Sequence, residues 1–503
     1  MIGDLVAQAE DIRVQAVAGL DSDAQGRLGQ YFTPHRAAEL IAGMPSLSAC
    51  GQKVRVLDPG AGSGMLVAAL VQRLAVERPD CSVHVTAIEV DKNVVVALEA
   101  TAERCRQWAS GRGLAFKIDV RHEDFIQANT GLGSVDAPGD FDLVIMNPPY
   151  AKLPTNSPYR QTLLAHGVDC PNLYAAFLAL GIAKLRPGGQ LAAITPRSFA
   201  NGPYFERFRT FFLRSLTVDR VHTFASRSTV FSDTGVLQEN LVFSGTRGGE
   251  ARQVRFTISH DHTDKATEHI VDYDELVRPG DPHRFLRITT SIADTIVSDT
   301  MAAMPMSLMG IGLSVSTGKV VDFRSRGNLC EQVGAECTPL IYPGNIRNGI
   351  VEWPRSIRKA QGFSILTEVD RKMLVPAGCY VVVKRFSAKE ERRRIVAAVW
   401  DPAINGDSPV AFENHLNVFH KNGAGLDRST AVGLSLWLNS TVVDRYFRTF
   451  SGHTQVNATD LRTLRYPSLA TLQALGESHS SEVIDQDQLD LLVDKILSKD
   501  VAA

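Results

Sequence analysis

The chain has 503 residues, 44% hydrophobic and 21% charged, the make-up of an ordinary globular protein with room for two large cores. No apolar run approaches the roughly 18 residues of a membrane span. The N-terminus carries Asp4, Glu10 and Asp11 where a leader would be basic and then apolar, so no membrane partner and a cytoplasmic location are expected. Seven cysteines without a CxxC pair indicate neither a zinc site nor a disulfide framework.

Leu5, Ala9, Ile12, Ala16 and Leu20 recur at helical spacing and predict an amphipathic lead-in helix. Gly29-Gln30-Tyr31-Phe32-Thr33-Pro34 then feeds a helix over His35–Met44, with Thr33 placed to cap it and Pro34 at its first turn. The same hydroxyl and the nearby N–H groups could hold a carboxylate. Val54–Leu57 reads as a strand, followed by Asp58-Pro59-Gly60-Ala61-Gly62-Ser63-Gly64 and a helix from Met65. Alternate glycines let the backbone bend tightly and pass close to a ligand. The acidic residue leading the loop suits a ligand with an ammonium better than a pyrophosphate. A second strand, Val83–Ile88, ends in Glu89, where a carboxylate grips a ribose diol in doubly wound sheets. Asp124-Phe125 offers an acceptor beside an aromatic face, the pairing an adenine ring needs, whereas Asp124 taken singly reads as a loop acid.

The run Leu143–Met146 reads as a buried parallel strand that stops at Asn147-Pro148-Pro149-Tyr150. Neither proline can donate an N–H, and Pro149 forces Pro148 into an extended conformation. The result is a stiff turn at a strand's carboxyl end, where open α/β sheets bind ligands. It presents two acceptors, the Asn147 amide oxygen and the Pro148 carbonyl, beside the Tyr150 ring, and so suits a planar group bearing an NH₂. A helix from Asn172 to Arg186 closed by Pro187-Gly188-Gly189 follows, then strands to Phe243 that flank a polar loop holding Phe231. Strand–helix alternation over 240 residues predicts an α/β, doubly wound, mostly parallel sheet.

Beyond residue 311 the runs are β-type and basic residues interleave with aromatics and amides. Residues 311–470 hold 21 Lys+Arg against 14 Asp+Glu, a surplus of +7, which leaves −9 for the remainder of a chain whose net charge is −2. Arg and Asn/Gln are the side chains that pair with guanine and adenine edges. Arg392, Arg394, Asn439, Tyr446, Gln455 and Asn457 are among the candidates.

In their order GQYFTP, LDPGAGSG, IEVD, EDF, NPPY, NLYAAFL and VF before VLQEN, these motifs resemble those of the γ-group adenine-N6 DNA methyltransferases of restriction–modification systems. The later phrases VSTGKVVDFR, RFSAKEERRR, FENHLNVFH and FSGHTQVNATDLR are similar to the PstI- and BsuBI-type modification methylases. The resemblance implies a Rossmann-like S-adenosylmethionine (SAM) domain over 1–250, a connecting region over 251–310 and a mixed, β-rich DNA-recognition domain over 311–503. It implies that Thr33 holds the methionine carboxylate of SAM, Asp58 its ammonium, and the Gly60–Gly64 loop, through Gly60 and Gly62, passes the cofactor. Glu89 would bind the ribose, and Asp124 with Phe125 the adenine. Asn147 and Pro148 would accept hydrogen bonds from the target amine, with Tyr150 and Phe231 stacking on a base flipped out of double-stranded DNA. No metal is implied, a monomer is expected, and a separate cognate endonuclease would act on the same site. A glutamine-N5 protein methyltransferase would share the first half but leave the second without purpose. An endonuclease fused to its methylase lacks support, since no PD…(D/E)xK cluster stands out.

Overall fold

The computed structural model describes residues 4–19, 32–129, 139–224, 240–250, 252–259, 266–289, 291–331, 337–387, 391–451, 455–479 and 485–500. The chain divides into two compact units, Met1–Thr290 and Ser291–Ala503.

The first unit is built on strands β1 (Lys53–Pro59), β2 (Ser82–Glu89), β3 (Ala115–His122), β4 (Phe141–Met146), β5 (Leu185–Pro196), β6 (Leu216–Phe224), β7 (Asn240–Arg247), β8 (Gln253–Ser259) and β9 (Thr267–Asp272). They form one sheet in the order β3-β2-β1-β4-β5-β7-β6-β8-β9. From β3 to β5 all pairs are parallel, while β7 runs antiparallel between β5 and β6. Both faces are covered, and the strands sort their side chains with period two. Leu143 and Ile145 of β4 face helices α1 (Leu5–Ala18), α2 (His35–Gly43), α3 (Met65–Glu77) and α4 (Lys92–Ser110) in one core. Val144 and Met146 face α6 (Leu173–Lys184) and α7 (Glu206–Ser215) in the other, with α5 (Pro158–Ala165) lying between β4 and α6 in sequence. This double burial is why β4 reads as an unbroken apolar run.

Three expectations change here. Pro187-Gly188-Gly189 does not stop the preceding helix. α6 ends at Lys184 and β5 already runs from Leu185. The three residues form a bulge, so that Phe141 lies opposite Leu185 but Leu143 opposite Gln190. Residues 251–310 are not a connector. β8 pairs with β6 and β9 with β8, and Val254, Phe256 and Val271 enter the second core. The alternation Val254-Arg255-Phe256-Thr257-Ile258 is a strand signal, and the division between the units falls at Thr290–Ser291. Finally, Cys330 and Cys337 are joined in a disulfide. The strands that bring them together, Leu329–Cys330 and Thr338–Ile341, pair with opposite edges of Gly362–Phe363. Gly362 has no side chain to separate them: a Cβ there would lie 2.8 Å from that of Cys330 and 2.9 Å from that of Cys337. Sequence spacing does not reveal such a register.

The second unit holds a six-stranded sheet, in spatial order Ser314–Thr317, Leu416–His420, Tyr380–Lys384, Ala397–Trp400, Ile350–Val351 and Ile346–Arg347, and a five-stranded one. Helices Arg428–Leu438, Thr441–Phe450, Leu469–Glu477 and Gln486–Asp500, which the β-type reading missed, complete it. Gly433 lets the first and third of these helices touch: a Cβ on it would sit 1.8 Å from the Leu472 carbonyl oxygen. Gly433→Ala is therefore expected to force the helices apart and cost on the order of 1–3 kcal/mol, read as a lower denaturation midpoint in urea. An unchanged midpoint would show that this contact yields freely. Among the described residues no helix is long and apolar enough to cross a membrane.

Candidate active site

The loop after β1 and the turn after β4 lie at the carboxyl ends of neighbouring parallel strands, so the sheet brings them together. Gly60, Gly62 and Gly64 have φ of 128°, 55° and 87°, in the region that side chains disfavour, and Gly60 also lets the ring of Phe177 approach. The bend puts the Gly62 N–H 2.9 Å from Glu89 Oε2 at the end of β2. Glu89 Oε1 accepts from Val90 N and Asp91 N, each at 2.9 Å. Three of the roughly four acceptor positions of this carboxylate are therefore used. Burial nevertheless raises its pKa, the backbone donors opposing the rise.

One cavity is lined by Thr33, Gly60, Gly62, Glu89, Asp124, Phe125 and Asn147, which gathers most of the predicted site residues. Asp58, Pro148 and Tyr150 do not line it, and Phe231 lies outside the described residues. Asp58 is wholly buried at the end of β1, and neither of its oxygens has a hydrogen-bond partner among the described residues. Burial first, and the charge of Glu89 second, push its pKa well above the ordinary carboxylate range.

Thr33 is not the helix cap: Pro34 occupies that place. The Thr33 hydroxyl instead accepts the Asn147 amide at 3.0 Å, and the Tyr150 hydroxyl donates to Asn147 Oδ1 at 3.2 Å. The amide is thus held at both ends. The Tyr150 ring stands edge-on to Tyr174, with centroids 6.2 Å apart and planes at 87°.

Asp124 Oδ1 accepts from Ile126 N at 2.9 Å and Gln127 N at 3.0 Å, and Oδ2 accepts the Tyr159 hydroxyl. Phe125 meets Phe177, from α6, at 5.2 Å between ring centroids. Sequence reasoning missed Phe32, Tyr159 and Phe177, which also line the cavity. Phe177 sits at helical spacing in an apolar run and reads as core. Tyr159 falls in a stretch without motif, and no sequence signal marks it. Burial, then the bond to Asp124, raises the Tyr159 hydroxyl pKa, so it remains a donor.

An acceptor-bearing turn and an acidic, aromatic cavity on this sheet define an α/β methyltransferase. Residues 97–231 match the family model described as Eco57I restriction-modification methylase. The chain is 37% identical to Type II methyltransferase M.PstI of Providencia stuartii over 97% of its own length and 96% of that protein. It is likewise 37% identical to Type II methyltransferase M.BsuBI of Bacillus subtilis over 95% of each. It belongs to this family of Type II restriction–modification methyltransferases. The fold also resembles that of the Type IIL restriction-modification enzyme MmeI, solved in complex with DNA, with a TM-score of 0.55 at 11% identity, covering 99% of this chain and 74% of that one.

Proposed function

We propose that the protein transfers a methyl group from SAM to the N6 amino group of an adenine flipped out of double-stranded DNA. The observation that carries this reading is the Asn147 amide, fixed by Thr33 and Tyr150 and opening onto the cavity that holds Glu89, Asp124 and Phe125. The residues suit SAM. Asp58 is a buried carboxylate without a partner and fits its ammonium. The Gly60 and Gly62 backbone leaves room beside Glu89. Glu89 keeps one acceptor position, on Oε2, for a ribose hydroxyl, and releasing the Gly62 amide would free a second there. Asp124 keeps acceptor capacity on Oδ2 for an exocyclic amine, with Phe125 and Phe177 against the ring. When bound, SAM supplies an electrophilic methyl on sulfur.

The N6 lone pair is delocalised into the purine and attacks poorly. Asn147 Oδ1 and the Pro148 carbonyl, accepting its two hydrogens, favour a pyramidal nitrogen with its lone pair directed at the methyl. Tyr150 and Phe231 would stack on the extruded base and offset the cost of unstacking. No thiol is required, and among the described residues no cysteine lines the cavity. Membership in a restriction–modification family supports a cognate endonuclease acting on the same sequence. The test is transfer of labelled methyl from SAM into unmethylated duplex DNA, with a protein substrate in parallel. The reading expects label in DNA alone, and label in glutamine side chains would overturn it.

Asp58 adds a prediction with two signs. Its raised pKa means that the ligand-free folded state holds the proton more tightly than the unfolded chain, so stability falls as pH rises toward that raised value. Asp58→Asn removes this term. It should melt above the wild type by a margin that widens as the pH rises from the ordinary carboxylate range toward that raised value, while binding SAM more weakly. Thermal melts and calorimetry on the same preparation check both. A variant that binds SAM normally would remove Asp58 from the site.

A further inference from the structure

Four stretches of the second unit that are distant in sequence meet at one end of its six-stranded sheet. Arg385 N donates to the His415 carbonyl at 2.9 Å, and Val456 N to the Arg385 carbonyl at 2.7 Å. Gly318 N reaches the Leu416 carbonyl at 2.8 Å. On this frame stands an exposed aromatic pair. Phe386 is 46% exposed and its ring lies 5.1 Å from that of His415. Phe386 is also directly opposite Gln455 in an antiparallel bridge, which places the two side chains next to each other on one face. Asn417, on the neighbouring strand, is wholly buried and donates to the Val456 carbonyl at 2.7 Å, but its Oδ1 has no partner among the described residues. An uncompensated buried acceptor in a native fold calls for a bound group or water.

The electrostatics select the partner. The Glu413 carboxylate is buried and bound to the N–H and ring of His415, and Asp322 is tied to Lys359 at 2.5 Å. Lys319 is exposed, its ammonium donating to the Lys372 carbonyl at 2.9 Å, within the stretch 311–470 that carries a surplus of +7. An amide beside a large exposed ring, in a stretch of sequence with a net positive charge, suits duplex DNA, in which an amide can pair with a base edge and a ring can pack on a base or its methyl.

Resting on the DNA-methylating reading above, we propose that this end of the sheet, where Phe386, His415 and Gln455 meet, reads the DNA sequence. Gln455 bonds a base edge, and the Phe386–His415 pair packs against its neighbour. Two other amide candidates are excluded by their bonds: Asn457 caps helix Ala458–Thr463 through Asp460, and Asn439 spans both backbone groups of Ala397. Tyr446 and Arg394 are buried.

The test incubates wild type, Phe386→Ala, Gln455→Ala and Gln455→Met with SAM and unmethylated bacterial genomic DNA, and maps the methylated bases by sequencing. Wild type should mark one motif. Both Gln455 variants should admit other bases at one position, discrimination there falling about 5- to 150-fold. Gln455→Met keeps nearly the same shape and so guards against a folding defect in the alanine variant. Phe386→Ala should lower kcat/KM on duplex DNA about tenfold with SAM affinity unchanged. Variants that keep the wild-type motif and rate overturn the surface alone. A wild-type protein that methylates no DNA overturns the surface together with the functional reading.

Discussion

Asn147→Ala should lose methyl transfer by about 10² to 10³ in single-turnover rate, the usual cost of removing one preorganised hydrogen bond to a developing charge. SAM and DNA should still bind, because the missing acceptor acts most strongly in the transition state. The neighbours make the outcome specific. Thr33 and Tyr150 hold the amide from opposite ends, so the oxygen is fixed before substrate arrives, as catalysis by positioning demands. Thr33→Val should reproduce part of the loss by freeing one end. A near-normal single-turnover rate for Asn147→Ala would remove the turn from the chemistry.

Glu89→Ala carries the second large effect, on cofactor affinity. A charge-assisted hydrogen bond contributes roughly 1.5–3 kcal/mol, so SAM should bind about tenfold to a hundredfold more weakly. The loss belongs at the upper end, because Glu89 also anchors the Val90 and Asp91 amides through Oε1, and its removal frees the backbone beside the cavity. Asp124→Ala should fall lower in the range, since Tyr159 and the Phe125–Phe177 pair remain. Calorimetry reads both, and unchanged affinity in the two variants would refute the assignment.

Much of the first unit was legible because each of its motifs is tied to a strand end. β4 announces itself as an apolar run with a proline stop, and β2 by the carboxylate that closes it. What stayed hidden depends on contacts that no local pattern records. Thr33 looks like a helix cap and becomes the support of a residue 114 positions away. Tyr159 has no motif, and only the path of the chain after the turn carries its hydroxyl to Asp124. In the second unit, short strands paired out of sequence order left composition as the main guide. Composition marked a basic, amide-rich region but could not separate Gln455, on the face with Phe386, from Asn457, which its own helix consumes.

The central claim is best tested by the chemical identity of the product. Duplex DNA from an unmethylated host, incubated with the purified protein and labelled SAM, is digested to nucleosides and resolved by mass spectrometry. The fixed Asn147 amide predicts that the label appears as N6-methyl-2′-deoxyadenosine and that Asn147→Ala slows its appearance by about 10² to 10³. Label in 5-methyl-2′-deoxycytidine, whose formation requires a nucleophilic thiol beside the base, or no label in DNA at all, would contradict the account.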